Sequence, residues 1–188
     1  MAEVEGFDRK RMPVYRSALI KSIRRSLVDD AIYWSAVLHQ LGFAKAVWWR
    51  LMIHCSEDIG VAEPNLPANI RALYDNYTSL MGANQQDSAI IVYTHAVMLM
   101  AQARKHRAVD NAVICYYKKP LVPREVPDYA LDHHTAEGRA LGRDVRFFLD
   151  ESSRLIPDAL HDQYAAGARQ TLLARLAAGE ASASDSVE

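Results

Sequence analysis

Apolar residues return at the period of an α-helix along most of this 188-residue chain, and no useful length of it alternates at the period of a strand. Trp34, Val37, Leu38 and Leu41 fall at i, i+3, i+4 and i+7, and Trp48, Leu51, Met52 and Cys55 repeat that spacing. Ile70, Leu73, Tyr74, Tyr77, Leu80 and Met81 mark a further stripe. Ile90, Tyr93, Thr94, Val97, Met98 and Ala101 form the clearest one. A helix with one apolar stripe must bury it against another helix. The expected fold is therefore all-α, a compact multi-helix domain, and no internal repeat divides it.

The stops between stripes are set by local chemistry. Pro13 suits the first turn of an opening helix that runs to about Arg25. Ser26-Leu27-Val28-Asp29 reads as a capping box for the next helix. Gly42 closes that helix, Gly60 ends the third, and Gly82 stops the fourth. Asp87 is the expected N-cap of the fifth, and a sixth spans Val109 to Lys118. The texture changes at Lys119, because Pro120, Pro123 and Pro127 work against regular helix. Helical pattern resumes near Thr135, continues through Phe147, Phe148 and Leu149, and breaks at Pro157. A last helix is expected from Asp158 to about Ala178. This organisation gives a flexible basic arm over 1–12, a helical domain over 13–118, a Pro-rich connection with C-terminal helices packed on that domain over 119–178, and a disordered tail over 179–188.

Half of the residues are hydrophobic, enough for a real core. The net charge of −1 supplies no global field toward nucleic acid or membrane, so any attraction must be local. Cys55 and Cys115 both sit in apolar helical patterns and read as buried thiols in a reducing compartment. The N-terminus is charged and lacks the apolar stretch of a signal peptide. No run of about 18 apolar residues is present. A cytoplasmic protein without a membrane partner is expected. The chain also lacks a G-x-x-x-x-G-K-[ST] loop, a G-x-G-x-x-G turn, a C-x-x-C pair and H-E-x-x-H. It supplies no NTPase site by itself, and the expectation is a non-enzyme without cofactors.

Five local constellations remain. Arg9, Lys10, Arg11, Arg16, Lys21, Arg24 and Arg25 place seven cations in seventeen residues with no acid among them. Lys21, Arg24 and Arg25 share one helix face. That face could neutralise phosphates, or it could be a solvated surface whose cations suit a helix C-terminus. The dipole explanation also covers Arg104-Lys105-His106-Arg107. Asp132-His133-His134 offers ligands for Zn, Fe or Mn, with capping of a helix start as the plainer reading. Glu57 and Asp58 could act as acid and base, but an ion pair with Arg50 or Arg71, or a cap on the next turn, explains them more simply. Trp48 belongs to its stripe. Trp49 lies off it, as a protein contact or a stacking platform for bases.

Lys21-Ser22-Ile23-Arg24 with Ser26, then Asp30-Ala31-Ile32-Tyr33-Trp34, then Arg50 and Ser56-Glu57-Asp58-Ile59-Gly60 with Ala62 and Pro64, resemble the C-terminal region of the RarA/MgsA/Werner-helicase-interacting AAA+ ATPases. The resemblance covers about residues 14–118 in motif order and spacing. It implies a helical region that follows the ATPase and lid of a clamp-loader relative and builds a homotetramer. It also implies work at stalled replication forks and in recombination. The chain departs from the pattern at Arg25, where the family usually has Gly, and at Leu27-Val28, where it has Asp-Pro. The ATPase module is absent from the sequence, and the segment from Pro127 through Arg139 and Arg143 resembles the ending of short relatives without one. Gly138, Arg139, Gly142 and Arg143 would give a helix face of little bulk with two cations.

The expectation is thus a non-catalytic oligomerisation and interaction module, connected with DNA replication, recombination or repair. Its partners would be copies of itself, DNA through Lys21, Arg24, Arg25, Arg139 and Arg143, and a separately encoded AAA+ ATPase or replication protein. The alternative is a metal-dependent phosphohydrolase or nuclease using Asp132, His133 and His134.

Overall fold

The structure is a computed structural model that describes residues 6–158 and 160–179. The first five residues of the expected arm and all but Gly179 of the expected tail lie outside the described residues. The fold is all-α, with no strand among the described residues. No helix among them is long and apolar enough to cross a membrane. The chain divides into two compact units, Met1–Leu121 and Val122–Glu188.

The first unit contains α1 (Met12–Arg24), α2 (Val28–Gln40), α3 (Ala44–His54), α4 (Leu66–Gly82), α5 (Gln86–Gln102) and α6 (Ala108–Tyr117). The predicted stripes meet in one core. Leu19 and Ile23 from α1, Leu38 from α2, Trp48 and Leu51 from α3, Ile70 from α4, and Tyr93 and Met100 from α5 are all fully buried. The Trp48 ring has the rings of Tyr74, Tyr77 and Tyr93 around it at 5.4, 5.4 and 5.7 Å, spacings at which aromatic pairs attract beyond their buried area. The Tyr93 hydroxyl donates to the Ser35 carbonyl at 3.1 Å, which satisfies the one polar atom that this ring buries.

Three helix ends use the same device. Ser26, Gly42 and Asn84 have φ of 56°, 81° and 58°. The residue after each donates its N–H back to a carbonyl five residues earlier: Leu27 to Ser22, Phe43 to Leu38, and Gln85 to Leu80. This is the Schellman closure. It changes two boundary expectations. Ser26 ends α1 rather than opening α2 with a capping box, and α2 has Leu27 at its N-cap with no side-chain hydrogen bond. Asn84, two residues past Gly82, turns the chain after α4. Asp87 lies in the first turn of α5, where its charge suits the dipole, and Gln85 is the N-cap.

The third helix does reach Gly60, but not as regular helix. After His54 it widens into a π-type turn over Cys55–Ile59. Gly60 then takes φ 51° and ψ −125°, a conformation that a Cβ would strain. An added Cβ would also lie 3.0 Å from Cγ2 of Val109. Glycine here lets the start of α6 pack directly on the turn. Of the two cysteines, Cys55 is buried as expected and Cys115 on α6 is exposed. α6 buries none of its own residues.

In the second unit the segment before Asp128 is irregular, as its prolines require. The helix expected from Thr135 through Leu149 is broken in two, α7 (Ala136–Ala140) and α8 (Val145–Phe147), followed by a π-type turn over Phe148–Ser152. Gly142 at φ 72° interrupts it, and Asp144 restarts it by accepting from the Arg146 N–H at 2.8 Å. The last helix, α9, is Ala165–Ala177, shorter than expected.

Candidate functional site

The π-type turn after α3 presents two acids to cations from three directions. Asp58 accepts from Nε of Arg24 at 2.8 Å and from Nδ1 of His54 at 2.7 Å. Glu57 accepts from Nη2 of the same Arg24 at 2.6 Å. Arg107, at the start of α6, lies 3.4 Å from Glu57 and 3.7 Å from Asp58, and also bonds to Asp110. The His106 N–H donates to the Asp58 carbonyl at 2.9 Å. The side chain of Asp58 is 2% exposed and that of Glu57 25%. Asp58 is therefore the buried centre of the cluster and Glu57 its solvent-side partner.

This geometry favours a structural ion-pair cluster over acid–base chemistry. Both carboxylates face guanidinium groups that never deprotonate in proteins, and Asp58, whose Oδ1 has no hydrogen-bond partner, is too deeply buried to meet a substrate. Neither Arg50 nor Arg71 pairs with them: Arg71 bonds along its own helix to Asp75 at 3.1 Å. Burial of the His54 ring pushes its pKa below the ordinary value, against the pull of Glu57 and Asp58, and Arg50 adds to the lowering. The neutral ring gives its Nδ1 proton to Asp58, and Nε2 has no protein partner.

Among the described residues, two clusters have the composition of metal ligands, His54/Glu57/Asp58 and Asp132/His133/His134. In the first, Arg24 already occupies one oxygen of each acid, Oε1 of Glu57 and Oδ2 of Asp58, and its charge disfavours a second cation there. In the second, Asp132 accepts from the backbone N–H of His134 at 2.9 Å and has the ring Nδ1 of His134 at 3.2 Å. The Asp132 carbonyl takes the Thr135 hydroxyl at 3.0 Å. Thr135 in turn caps α7 by accepting from the Gly138 N–H at 2.9 Å. That is a helix-entry loop closed on itself. A Cβ at position 138 would fall 1.8 Å from the Asp132 carbonyl oxygen, so Gly138 serves the close approach of its own chain.

The other predicted residues are spread over both units. Lys21 and Arg25 are exposed on α1, Lys21 bonded to the Ser17 hydroxyl at 2.9 Å and Arg25 to the Lys21 carbonyl at 3.1 Å. Ser22 is buried. Tyr33 packs edge-on against Trp34 at 5.0 Å, and Trp34 stacks on Tyr15 at 5.8 Å. Trp49 and Ser56 are exposed. Arg139 and Arg143, in the second unit, turn onto its own loop. Arg139 bonds to the carbonyls of His133 and His134, and Arg143 to those of Asp128 and Leu131.

Sequence reasoning did not join His54 or Arg107 to Glu57 and Asp58, and left Arg16 as one cation of the basic cluster. His54 was available as the residue four before Asp58 on one helix face. Arg107 stood in a basic run explained by the dipole of α5. Lys105 does play that part, bonding to the Ala101 carbonyl at 2.9 Å. Between α1 and α3 lies a cleft of about 200 Å³, lined by Arg16, Lys21, Arg24, Arg50, His54 and Glu57 among others. Arg50 is half-buried there, and its Nε has no hydrogen-bond partner.

Two outcomes follow from this arrangement. Asp58→Asn should destabilise the protein by about 3–5 kcal/mol, because it leaves Arg24 and His54 facing an uncharged, partly mismatched amide. Glu57→Gln should cost about 1 kcal/mol or less, since that carboxylate is screened by water. Urea unfolding of both variants measures this, and the opposite order would show that Asp58 is not the centre. The second outcome concerns pH. Burial depresses the pKa values of His54 and His39 in the folded chain, so the unfolded chain takes up these protons first, near about pH 6.5. Stability should be full above that pH and fall as pH drops through it toward the folded-state values. Thermal melts at about pH 7.5 and 5.5 read this, and a His54→Gln variant with an undiminished pH slope would exclude His54 as a source.

Comparison with known proteins places these features in a family. The family model described as MgsA AAA+ ATPase C terminal matches residues 25–169, from the end of α1 through the segment that departs from helix at the prolines and into α9. Replication-associated recombination protein A of Escherichia coli K12 is 32% identical over 158 residues, 78% of this chain and 34% of that protein. The protein of the same name from Haemophilus influenzae is 34% identical over 119 residues, 63% of this chain and 25% of that one. An uncharacterized AAA domain-containing protein of Mycobacterium tuberculosis is 32% identical over 129 residues, 67% and 28% of the two chains. The chain thus spans between a quarter and about a third of the length of these curated relatives. It belongs to the MgsA AAA+ ATPase C-terminal family.

Proposed function

We propose that this chain is a helical self-association and interaction module that works with an AAA+ ATPase in DNA replication, recombination or repair. The observation that carries the self-association reading is α6. Its Val113, Ile114, Tyr116 and Tyr117 are exposed, Tyr117 by 81%, while its first turn is fastened to the body by Arg107, His106 and the Gly60 contact. A helix that is apolar, firmly based and uncovered suits burial against another protein surface. Other copies of this chain are the occupant we favour, as a homotetramer, in line with the resemblance. The names of the relatives support the setting in recombination and beside an AAA+ module.

Size-exclusion chromatography with light scattering should give an oligomeric mass at micromolar concentration. Ile114→Asp with Tyr117→Asp should lower it to the monomer without unfolding the chain, since neither residue is buried. A strictly monomeric wild-type chain would remove the self-association reading.

DNA contact is assigned to the exposed cations of α1, Lys21 and Arg25. Arg24 is largely committed to the acids. Lys21→Ala with Arg25→Ala should weaken DNA binding and reduce the slope of log affinity against log salt by about 2. Unchanged affinity and slope would exclude this face.

A further inference from the structure

We propose that the cleft between α1 and α3 is a binding site for a phosphoryl group, held by Arg16, Lys21 and Arg50, with His54 in its wall. The lining residues carry four permanent or near-permanent cations, Arg16, Lys21, Arg24 and Arg50, and one carboxylate, Glu57. That carboxylate is already neutralised by Arg24 at 2.6 Å and Arg107 at 3.4 Å. Among the described residues, neither Arg16, Lys21 nor Arg50 makes an ion pair. Three positive charges therefore converge without anionic partners, two of them guanidinium groups whose planar forks match phosphate oxygens.

Two buried polar atoms point to the same conclusion. Nε of Arg50 is buried without a hydrogen-bond acceptor, and so is Nε2 of His54, whose side chain is only 1% exposed. Buried polar groups in folded proteins are almost always partnered; Asp58 Oδ1 and Trp48 Nε1 are unpartnered too, but the Arg50 and His54 atoms bear on the cleft because their residues line it. Nδ1 of His54 is committed to Asp58 at 2.7 Å. Its Nε2 can accept from a phosphate O–H, or donate to a phosphate oxygen once the ring is protonated. In both forms one proton lies between ring and ligand. A phosphate fits this set better than a carboxylate, which offers only two coplanar oxygens to cations arriving from two helices.

The site adds a defined group to the nucleic-acid reading of α1, but it requires neither DNA binding nor self-association. Its probe is inorganic phosphate, titrated calorimetrically into the full chain at an ionic strength held constant with chloride. Binding is expected, and Arg16→Gln and Arg50→Gln should each weaken it by about tenfold or more. Arg71→Gln, an exposed cation on α4 outside the cleft, should leave it unchanged. Should Arg50→Gln fail to fold, the half-exposed Arg16 still decides. No phosphate binding, or binding indifferent to both variants, overturns the site. Salt-sensitive DNA binding without phosphate binding would sink the cleft and leave the α1 face standing. Competition with one short oligonucleotide, with and without a 5′-phosphate, then assigns the source. Displacement by the phosphorylated form alone identifies strand ends. No displacement by either identifies small phosphates.

Discussion

Asp58 is a carboxylate taken almost completely out of water, and a charge in that position is tolerated only when its partners are fixed. Removing it from solvent costs several kcal/mol, recovered through good geometry and hydrogen bonding, which here fall on Oδ2, while Oδ1 has no hydrogen-bond partner. Here the partners come from separate parts of the first unit: Arg24 from the last turn of α1, His54 from the last turn of α3, and Arg107 and the His106 N–H from the start of α6. Each helix end is thereby held to the others through one residue. The π-type turn is what makes this possible, because the extra residue per turn widens the helix and swings Glu57 and Asp58 toward α1. Gly60 completes the joint by letting Val109 come into contact.

This joint also connects the two surfaces to which function is assigned. On one side Arg24 is pinned by the acids, which leaves Arg16, Lys21 and Arg50 as the free charges of the cleft. On the other side Arg107 anchors α6, whose remaining turns bury nothing of their own. A single cluster thus sets the position of a cationic cleft, to whose wall it lends His54, and of an apolar helix.

Most of the first unit was legible in the sequence because its helices bury one stripe each, and a stripe of that kind has a period that can be counted. Trp48, Tyr93 and Ile70 were identified as core by spacing alone. The helix stops were less legible. Ser26 has the same side chain whether it caps the next helix or closes the last, and the choice depends on a backbone angle that only the packed structure fixes. The second unit was harder still, because short helices between Pro, Gly and Asp turns bury too little for a period to emerge. At the site, Glu57 and Asp58 were recognised as acids in need of compensation. Their cations come from residues 33 to 50 positions away in sequence, and no local pattern links such residues. His54 was legible in principle, since four residues separate it from Asp58 on one helix.

The contrast between the two cysteines has a practical consequence. Cys55 is buried, its thiol donates to the Met52 carbonyl at 3.0 Å, and burial raises its pKa. Cys115 is exposed in the last turn of α6. Toward a thiol reagent the native chain is effectively a single-cysteine protein, its reactive sulfur already on the surface where another chain is expected to dock. A fluorophore or spin label can be attached there without engineering, and its reactivity reports whether that helix is covered.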